Sequence, residues 1–193
     1  MQRLILASSS ARRRCLMEHL GLPFEVVMPE GVDEEAVVGD SSYQIAQEIA
    51  LAKAKSVAEK FPDAIVIAAD TLVVFGEQIL GKPKDREDAI NMLRTLQGKW
   101  HNVITGVAIV RKDTNQCLTD YEKTGVCFCQ LCTSEIEAYV DTGEPMDKAG
   151  AYGIQGKGAF LVERINGCYF NVVGLPLAKL GRMLRKFGVY VLS

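Results

Sequence analysis

The sequence predicts a mixed α/β protein in which helices flank a twisted sheet. Short apolar runs, typical of buried strands, occur along the whole chain and are interspersed with segments whose apolar residues recur at helical spacing. Strands and helices do not alternate strictly one by one, so the sheet is expected to be mixed in direction. The 193 residues suffice for one large domain or for two closely packed lobes.

Strands are expected where β-branched and other apolar residues run together between turn signals. The runs are residues 4–7, 24–28, 64–75, a short return strand to residue 80, 103–110, 117–131, 160–165 and 168–173. The last two are expected to form a hairpin, because Asn166-Gly167 between them is a strong type I′ turn signal.

Helices are expected where apolar residues recur every three to four positions after a capping residue. The first follows the serines at 8–10, and a long one covers residues 41–60. The others are expected to start at Asp85, at a capping box over residues 134–137, and at Pro176.

The composition is that of an ordinary globular protein, with 48% hydrophobic and 24% charged residues. The formal net charge of −2 argues against a general nucleic-acid or anionic-membrane binder, so any phosphate recognition must be local. No apolar run is long enough for a transmembrane helix or a signal peptide, and the six cysteines follow no disulfide framework. The expected location is therefore cytoplasmic.

The start of the chain carries the first functional signal. A strand runs through three serines into a helix whose first turn holds Arg12, Arg13 and Arg14. Cations are disfavoured there by about 0.3–1 kcal/mol each. Beside free backbone N–H groups and three serine hydroxyls they suit an anion, for which phosphate is the obvious candidate. A polar loop with solvated arginines fits this segment alone equally well.

Two charged residues interrupt apolar patterns. Asp70 lies in the middle of the apolar run 64–75, and a buried unpaired carboxylate is costly, so it must meet a cation, a metal or a cleft. Lys53 falls within the apolar arc of the helix 41–60 and needs an internal carboxylate or a bound phosphate. The plainer alternatives are an Asp that caps a neighbouring helix and a Lys that reaches past the edge of the core.

Two glycine-containing segments offer further polar groups. Gly81-Lys82-Pro83 resembles the end of a P-loop, but Pro83 supplies neither the hydroxyl nor the N–H that this motif requires, so only Lys82 is kept as a candidate phosphate contact. The segment 147–158 lacks the dinucleotide-binding spacing. Within it, Lys148 offers a cation and Gln155 an amide that can read the edge of a base.

Other chemistries find no support in the sequence. His19 and His101 do not form a metal-type pair, and no nucleophile elbow occurs. Three separated cationic sites, with acidic residues at 33–35 and 70, favour phosphate chemistry assisted by a divalent ion.

Taken together, these motifs resemble the Maf-type nucleoside triphosphate pyrophosphatases, also labelled septum formation proteins. The resemblance covers the chain nearly end to end, and the motifs are weak singly but highly specific in this order. They are Leu6-Ala7-Ser8-x-Ser10-x-Arg12-Arg13, Asp33-Glu34, Ala52-Lys53-Ala54-Lys55, Ala69-Asp70-Thr71, Gly81-Lys82-Pro83 and residues 147–156.

The resemblance implies a single domain over residues 1–193, with two lobes around a cleft as in the inosine triphosphate pyrophosphatases. It implies hydrolysis of a nucleoside triphosphate to the monophosphate and pyrophosphate with a divalent cation, Mg²⁺, Mn²⁺ or Co²⁺. Residues 147–156 and Thr71 are similar to the branch that acts on dTTP and UTP, with modified pyrimidine nucleotides as further candidates. The expected partner is a small nucleotide, with no nucleic acid or membrane, for a monomer or homodimer.

The resemblance also implies the roles of individual residues. Asp70 would be the proton acceptor that activates the attacking water and, with Glu34, a metal ligand. Arg12, Thr71 and Gln155 match positions associated with substrate choice. The residues implied to hold the triphosphate are Ser8, Arg13, Lys53, Lys82 and Lys148.

A competing hypothesis is a non-catalytic, nucleotide-binding regulator of septum formation. Such a protein needs residues that bind phosphate but no carboxylate inside the central strand, so Asp70 with Glu34 favours the enzyme. A third hypothesis is a related pyrophosphatase that clears deaminated purines. It would need a roomier pocket and base-edge groups other than Thr71 and Gln155.

Overall fold

The fold is that of a computed structural model, which describes residues 2–192. The strands are β1 (Leu4–Ala7), β2 (Glu25–Val27), β3 (Ile65–Phe75), β4 (Gln78–Leu80), β5 (Trp100–Arg111), β6 (Gln116–Phe128) and β7 (Val162–Asn166). The helices are α1 (Ala11–Glu18), α2 (Ser42–Ala58), α3 (Arg86–Leu96), α4 (Thr133–Val140), α5 (Tyr169–Val173) and α6 (Leu177–Arg185). Short 3-10 helices cover Glu144–Asp147, Ala149–Ala151 and Gly156–Leu161. Among the helices of residues 2–192, none has the length and apolar character needed to span a membrane.

The strands pair in the order β2-β1-β3-β5-β6-β7, and β4 pairs with β3. The direction is mixed, because β1 is parallel to both β2 and β3, whereas β3–β4 and β6–β7 are antiparallel. This pairing, with helices around the sheet, confirms the predicted mixed α/β fold.

The chain divides into two compact units. In the part of the chain that the structure describes, the first unit comprises residues 2–70, 105–122 and 174–192, and the second comprises 71–104 and 123–173. Strands β3, β5 and β6 contribute residues to both.

In the first unit, small residues bring α2 close to the sheet. Ala50 and Ala54 of α2 are fully buried in its core. On β5, a Cβ built at Gly106 would lie 2.2 Å from the carbonyl oxygen of Ala46, a distance that no side chain tolerates. The helix backbone therefore packs directly against the strand at this glycine. This close packing fixes the height of Lys53, one residue before Ala54, above the sheet.

In the second unit, α3 and α4 pack with the 3-10 segments around one apolar core. Leu93 and Leu96 of α3, Ile136 of α4 and Phe128 of β6 are almost completely buried there. Tyr152 belongs to the same core, so the segment that follows Lys148 is anchored from inside. Asp85 caps α3 as predicted, accepting a hydrogen bond from the N–H of Asp88.

The predicted hairpin around Asn166-Gly167 is wrong. The stretch before it forms β7, which pairs with β6, but the stretch after it forms helix α5. Asn171 is fully buried and its amide donates to the Val103 carbonyl at 3.0 Å and to the Thr124 hydroxyl at 2.9 Å. The same hydroxyl is hydrogen-bonded to the backbone of Cys168. This buried polar network outweighs the local strand pattern.

The predicted starts of two later helices are displaced. Helix α4 begins at Thr133 behind Cys132, whose N–H donates to Glu135 at 2.7 Å, so the capping box lies two residues before the predicted one. Pro176 is the N-cap of α6, one residue before the helix begins.

Candidate active site

The predicted site residues divide between the two units. Ser8, Arg12, Arg13, Glu34, Lys53 and Asp70 lie in the first unit, and Thr71, Lys82, Lys148 and Gln155 lie in the second. The boundary falls between the consecutive residues Asp70 and Thr71 of β3.

Serine hydroxyls build the turn between β1 and α1. Ser8 is buried, and its hydroxyl accepts a hydrogen bond from the N–H of Ser10 at 3.1 Å. Ser10 is the N-cap of α1 and accepts from the N–H of Arg13. The arginines therefore occupy the first helical turn, as predicted. The Ser8 hydroxyl therefore stabilises this turn.

Arg13 is held in place by a backbone carbonyl of the same unit. Its Nε donates to the carbonyl oxygen of Gly174 at 2.8 Å. Burial lowers the pKa of the Arg13 guanidinium, the charge of Asp70 opposes that shift, Arg12 adds to it and Glu34 again opposes it. The charge of Arg13 therefore interacts with those of Arg12, Asp70 and Glu34.

Lys53 joins the two carboxylates, Asp70 and Glu34. Its Nζ lies 2.7 Å from Oδ1 of Asp70 and 2.8 Å from Oε1 of Glu34. Lys53 and Asp70 are each 7% exposed, whereas Glu34 is exposed in the loop before α2. Of the partners predicted for Lys53, the structure therefore shows an internal carboxylate. The buried charge of Asp70 is compensated by the same ammonium group, and a paired ion is less costly to bury than an unpaired one.

The two predicted metal ligands converge on one point. Glu34 and Asp70 each direct an oxygen at the same Lys53 ammonium. Within residues 2–192, no group of three or more His, Cys, Asp and Glu side chains has the arrangement of a complete metal site. Mg²⁺ is commonly bound by one or two carboxylates together with substrate phosphates. The pair therefore fits an ion shared with a phosphate ligand, and does not fit an all-protein cage.

In the second unit, the Lys82 loop is joined to the glycine-rich segment. The N–H of Gly150 donates to the carbonyl of Gly81 at 2.9 Å. Gly150 has a φ of +68°, and a Cβ there would lie 2.8 Å from a methyl carbon of Val73. Glycine is thus required for both the conformation and the close packing. Lys82 itself is exposed, beside this junction.

Lys148 and Gln155 lie at opposite ends of one folded segment. The Lys148 ammonium contacts the carbonyl of Glu144 and Oδ1 of Asp147, both at 2.5 Å. Gln155 is exposed, at the N-cap position of the 3-10 helix Gly156–Leu161. Thr71 is half-buried on β3.

Two anchors of this segment were not predicted. Glu144 binds the backbone just after Gln155, and His101 binds Tyr152. His101 is buried; its Nε2 lies 2.7 Å from the Tyr152 hydroxyl, and burial lowers the pKa of His101 to about 4. Its ring packs edge-on against Phe128 and Tyr152. Neither anchor has a local sequence signal, because the partners lie 13 and 51 residues away along the chain.

Comparison with known proteins gives matches over nearly the whole chain. Residues 3–187 match the family model described as Maf-like protein. A protein from Symbiobacterium thermophilum named dTTP/UTP pyrophosphatase is 53% identical over 188 residues, which are 97% of this chain and 95% of the relative. A protein of the same name from Pelotomaculum thermopropionicum is 50% identical over 192 residues, covering 100% of both chains.

One solved structure supports the fold. A HAM1 protein from Coxiella burnetii superposes with a TM-score of 0.53 over 96% of this chain and 100% of that one, at 14% sequence identity. At that identity the likeness concerns the fold alone, and it agrees with the mixed α/β architecture described above.

Proposed function

This chain belongs to the Maf-like protein family, and we propose that it is a nucleoside triphosphate pyrophosphatase that hydrolyses dTTP and UTP to the monophosphate and pyrophosphate. The names of the relatives at 53% and 50% identity support this substrate class. Modified pyrimidine nucleotides are included in the proposal, since they present the same triphosphate and a similar base.

The observation that carries the proposal is the buried Asp70 carboxylate, held at 2.7 Å by Lys53, whose ammonium also lies 2.8 Å from Glu34. A carboxylate within hydrogen-bond reach of a water can accept its proton as the water attacks phosphorus. In the proposed reaction a bond forms between the water oxygen and the α-phosphorus. The bond from that phosphorus to the bridging oxygen breaks, pyrophosphate leaves, and Asp70 receives the proton.

The cationic residues are proposed to bind the triphosphate. They offset its charge and the charge that develops on the leaving pyrophosphate. Arg13 and Lys53 are already oriented by the protein, and Ser8 adds a hydroxyl beside the N-terminus of α1. The proposed phosphate-binding set is completed by Lys82 and Lys148.

A divalent cation, Mg²⁺, Mn²⁺ or Co²⁺, is proposed as the cofactor, with Glu34 and Asp70 as its protein ligands. When bound there, such an ion supplies positive charge to the phosphate oxygens. Lys53 already compensates both carboxylates, so it keeps the pair together until a cation and a triphosphate bind.

Substrate choice is proposed to rest on Arg12, Thr71 and Gln155. The amide of Gln155 has both a donor and an acceptor and can pair with the edge of a uracil or thymine ring. The alternative of a non-catalytic regulator gains no support from the relatives, whose names describe an enzyme. It also gives no role to a carboxylate in the middle of β3.

The proposal is tested by measuring pyrophosphate release from dTTP, UTP, CTP, GTP, ITP and 7-methyl-GTP, each with Mg²⁺, Mn²⁺ and Co²⁺. We expect dTTP and UTP to have the highest kcat/KM, and activity to vanish on addition of EDTA and return with the metal. Preference for ITP would indicate a purine-clearing enzyme. Nucleotide binding without turnover of any of these substrates would favour the regulator.

A further inference from the structure

The short 3-10 helix that follows Gln155 lacks a local cap. Gln155 occupies its N-cap position, where a side chain usually accepts hydrogen bonds from the first N–H groups of the helix. The Gln155 side chain makes no such bond. Instead, the carboxylate of Glu144 accepts from Lys157 N at 3.1 Å through Oε1 and from Gly158 N at 3.3 Å through Oε2. The cap is supplied by a residue 13 positions earlier in the chain than Lys157.

The residue between Gln155 and this cap is shaped for the contact. Gly156 has a φ of +63°, which L side chains rarely adopt. A Cβ at this position would lie 3.0 Å and 3.1 Å from the two carboxylate oxygens of Glu144. A side chain here would therefore strain the backbone and would require the Glu144 carboxylate to shift by a few tenths of an ångström.

The backbone of Glu144 holds the other end of the same segment. Its carbonyl oxygen accepts from the Lys148 ammonium at 2.5 Å, and its own N–H donates to the Thr142 hydroxyl at 3.1 Å. One half-buried residue thus contacts both Lys148 and the turn that begins after Gln155.

We propose that Glu144 is a positioning residue for substrate selection. Its carboxylate caps the helix after Gln155, which leaves the Gln155 amide to hydrogen-bond the base of a pyrimidine nucleoside triphosphate. Its carbonyl holds the Lys148 ammonium at the other end of the same segment. A carboxylate suits this role because its two oxygens accept from two neighbouring N–H groups and its charge strengthens both bonds. The inference rests on the proposed function, and Glu144 touches no reacting atom in it.

The test compares Glu144→Ala, Glu144→Gln and Gly156→Ala with the wild type. We expect Glu144→Ala to raise KM for dTTP and UTP roughly tenfold and to lower the preference for dTTP over CTP, with a smaller change in kcat. Glu144→Gln keeps one acceptor oxygen, so its KM for dTTP and UTP should lie between those of the wild type and Glu144→Ala, about threefold above the wild type. Gly156→Ala should act in the same direction, because it displaces the same carboxylate.

The matched control is Glu163→Gln, which removes a carboxylate charge on β7 of the same unit, outside the segment. It should leave KM and the dTTP-to-CTP preference unchanged. If Glu144→Ala lowers Tm but leaves both quantities at the wild-type level, Glu144 is only structural and the inference is wrong. If Glu144→Ala raises KM by the same factor for dTTP and CTP, a role in selection is also overturned.

Amide hydrogen exchange gives a readout that does not depend on turnover. Exchange at Lys157 and Gly158 should be faster in Glu144→Ala than in the wild type, and intermediate in Glu144→Gln. Unchanged exchange would contradict the cap itself. A wild-type protein that releases pyrophosphate from no nucleotide would refute the proposed function, whereas the exchange experiment would still decide whether Glu144 caps the helix.

Discussion

The two units hold their candidate residues in different ways. In the first unit, charged side chains contact one another directly, and the buried pair lies on regular elements: Lys53 on α2 and Asp70 on β3, 2.7 Å apart. In the second unit, Lys82, Lys148 and Gln155 lie on loops or at the ends of 3-10 helices. Their segment is held by hydrogen bonds to backbone groups, such as Gly150 N to Gly81 O, and by Tyr152 in the apolar core.

This difference matches the two tasks proposed for these residues. Proton transfer requires a carboxylate held within a fraction of an ångström, and a helix packed on a strand provides that rigidity. Recognition of a base and of flexible phosphates is more often carried by loops on a rigid scaffold, whose residues can differ between relatives without loss of the core. Changes to the buried Lys53–Asp70 pair should therefore lower the rate or the stability, and changes to the exposed Gln155 should alter substrate preference.

The largest expected effect is that of Asp70→Asn. The amide keeps the size of the side chain but cannot accept the proton of the attacking water, so kcat should fall about 10³- to 10⁴-fold, or roughly 4–5 kcal/mol in the barrier. Nucleotide binding, measured by calorimetry, should persist. Asp113→Asn, in an exposed turn of the same unit, is the control. Pyrophosphate release at the wild-type rate by Asp70→Asn would remove Asp70 from the catalytic role.

Lys53→Met should have the next largest effect. The apolar chain fills the same space but leaves Asp70 buried without its cation and frees Glu34. The free energy of unfolding should fall by about 3 kcal/mol, together with a large loss of kcat/KM. Lys55→Met, on the exposed face of the same helix, should change the free energy of unfolding by no more than about 0.5 kcal/mol and should leave kcat/KM unchanged. Equal stability of the two variants in urea would show that the Lys53 contacts do not stabilise the unit.

In the second unit, His101 should make stability depend on pH. Burial lowers its pKa from 6.5 to about 4, so the unfolded chain takes up the proton first as the pH falls. The contribution of neutral His101 to the free energy of unfolding is therefore fully present above pH 6.5. It is lost between pH 6.5 and 4, by at most about 3 kcal/mol. Urea unfolding of the wild type and of His101→Gln across this range measures the difference. Identical pH dependence of the two proteins would contradict the prediction, and the exposed His19 serves as the control position.

The smallest expected effect is that of Gln155→Ala. Loss of the amide should cost about tenfold in kcat/KM for dTTP and UTP, with little change for CTP. The stability should be unaffected, because Gln155 is exposed and does not cap the following helix. Gln78→Ala on β4 is the matched control. If kcat/KM falls by the same factor for all nucleotides, Gln155 contributes to phosphate binding instead of base selection.

The strength of the local signal decided how much was predictable. Asp70 and Lys53 could be identified as buried charges because each interrupts a regular apolar pattern, and both are buried. Their mutual contact could not be derived, since 17 residues separate them. Glu34 lies in an irregular loop, where no periodicity indicates the direction of a side chain. Glu144 gave no signal, because its contacts depend on the turn at Gly156.

By itself, the sequence determined most strands and helices, the turn from β1 into α1, and the positions that bury charge, because periodicity and capping act between near neighbours in the chain. The tertiary structure alone decided which groups satisfy those charges, why residues 169–173 form a helix, and which carboxylate caps the turn after Gln155. Each of these depends on a polar group that is costly to bury without a partner, and the partner comes from a distant part of the chain.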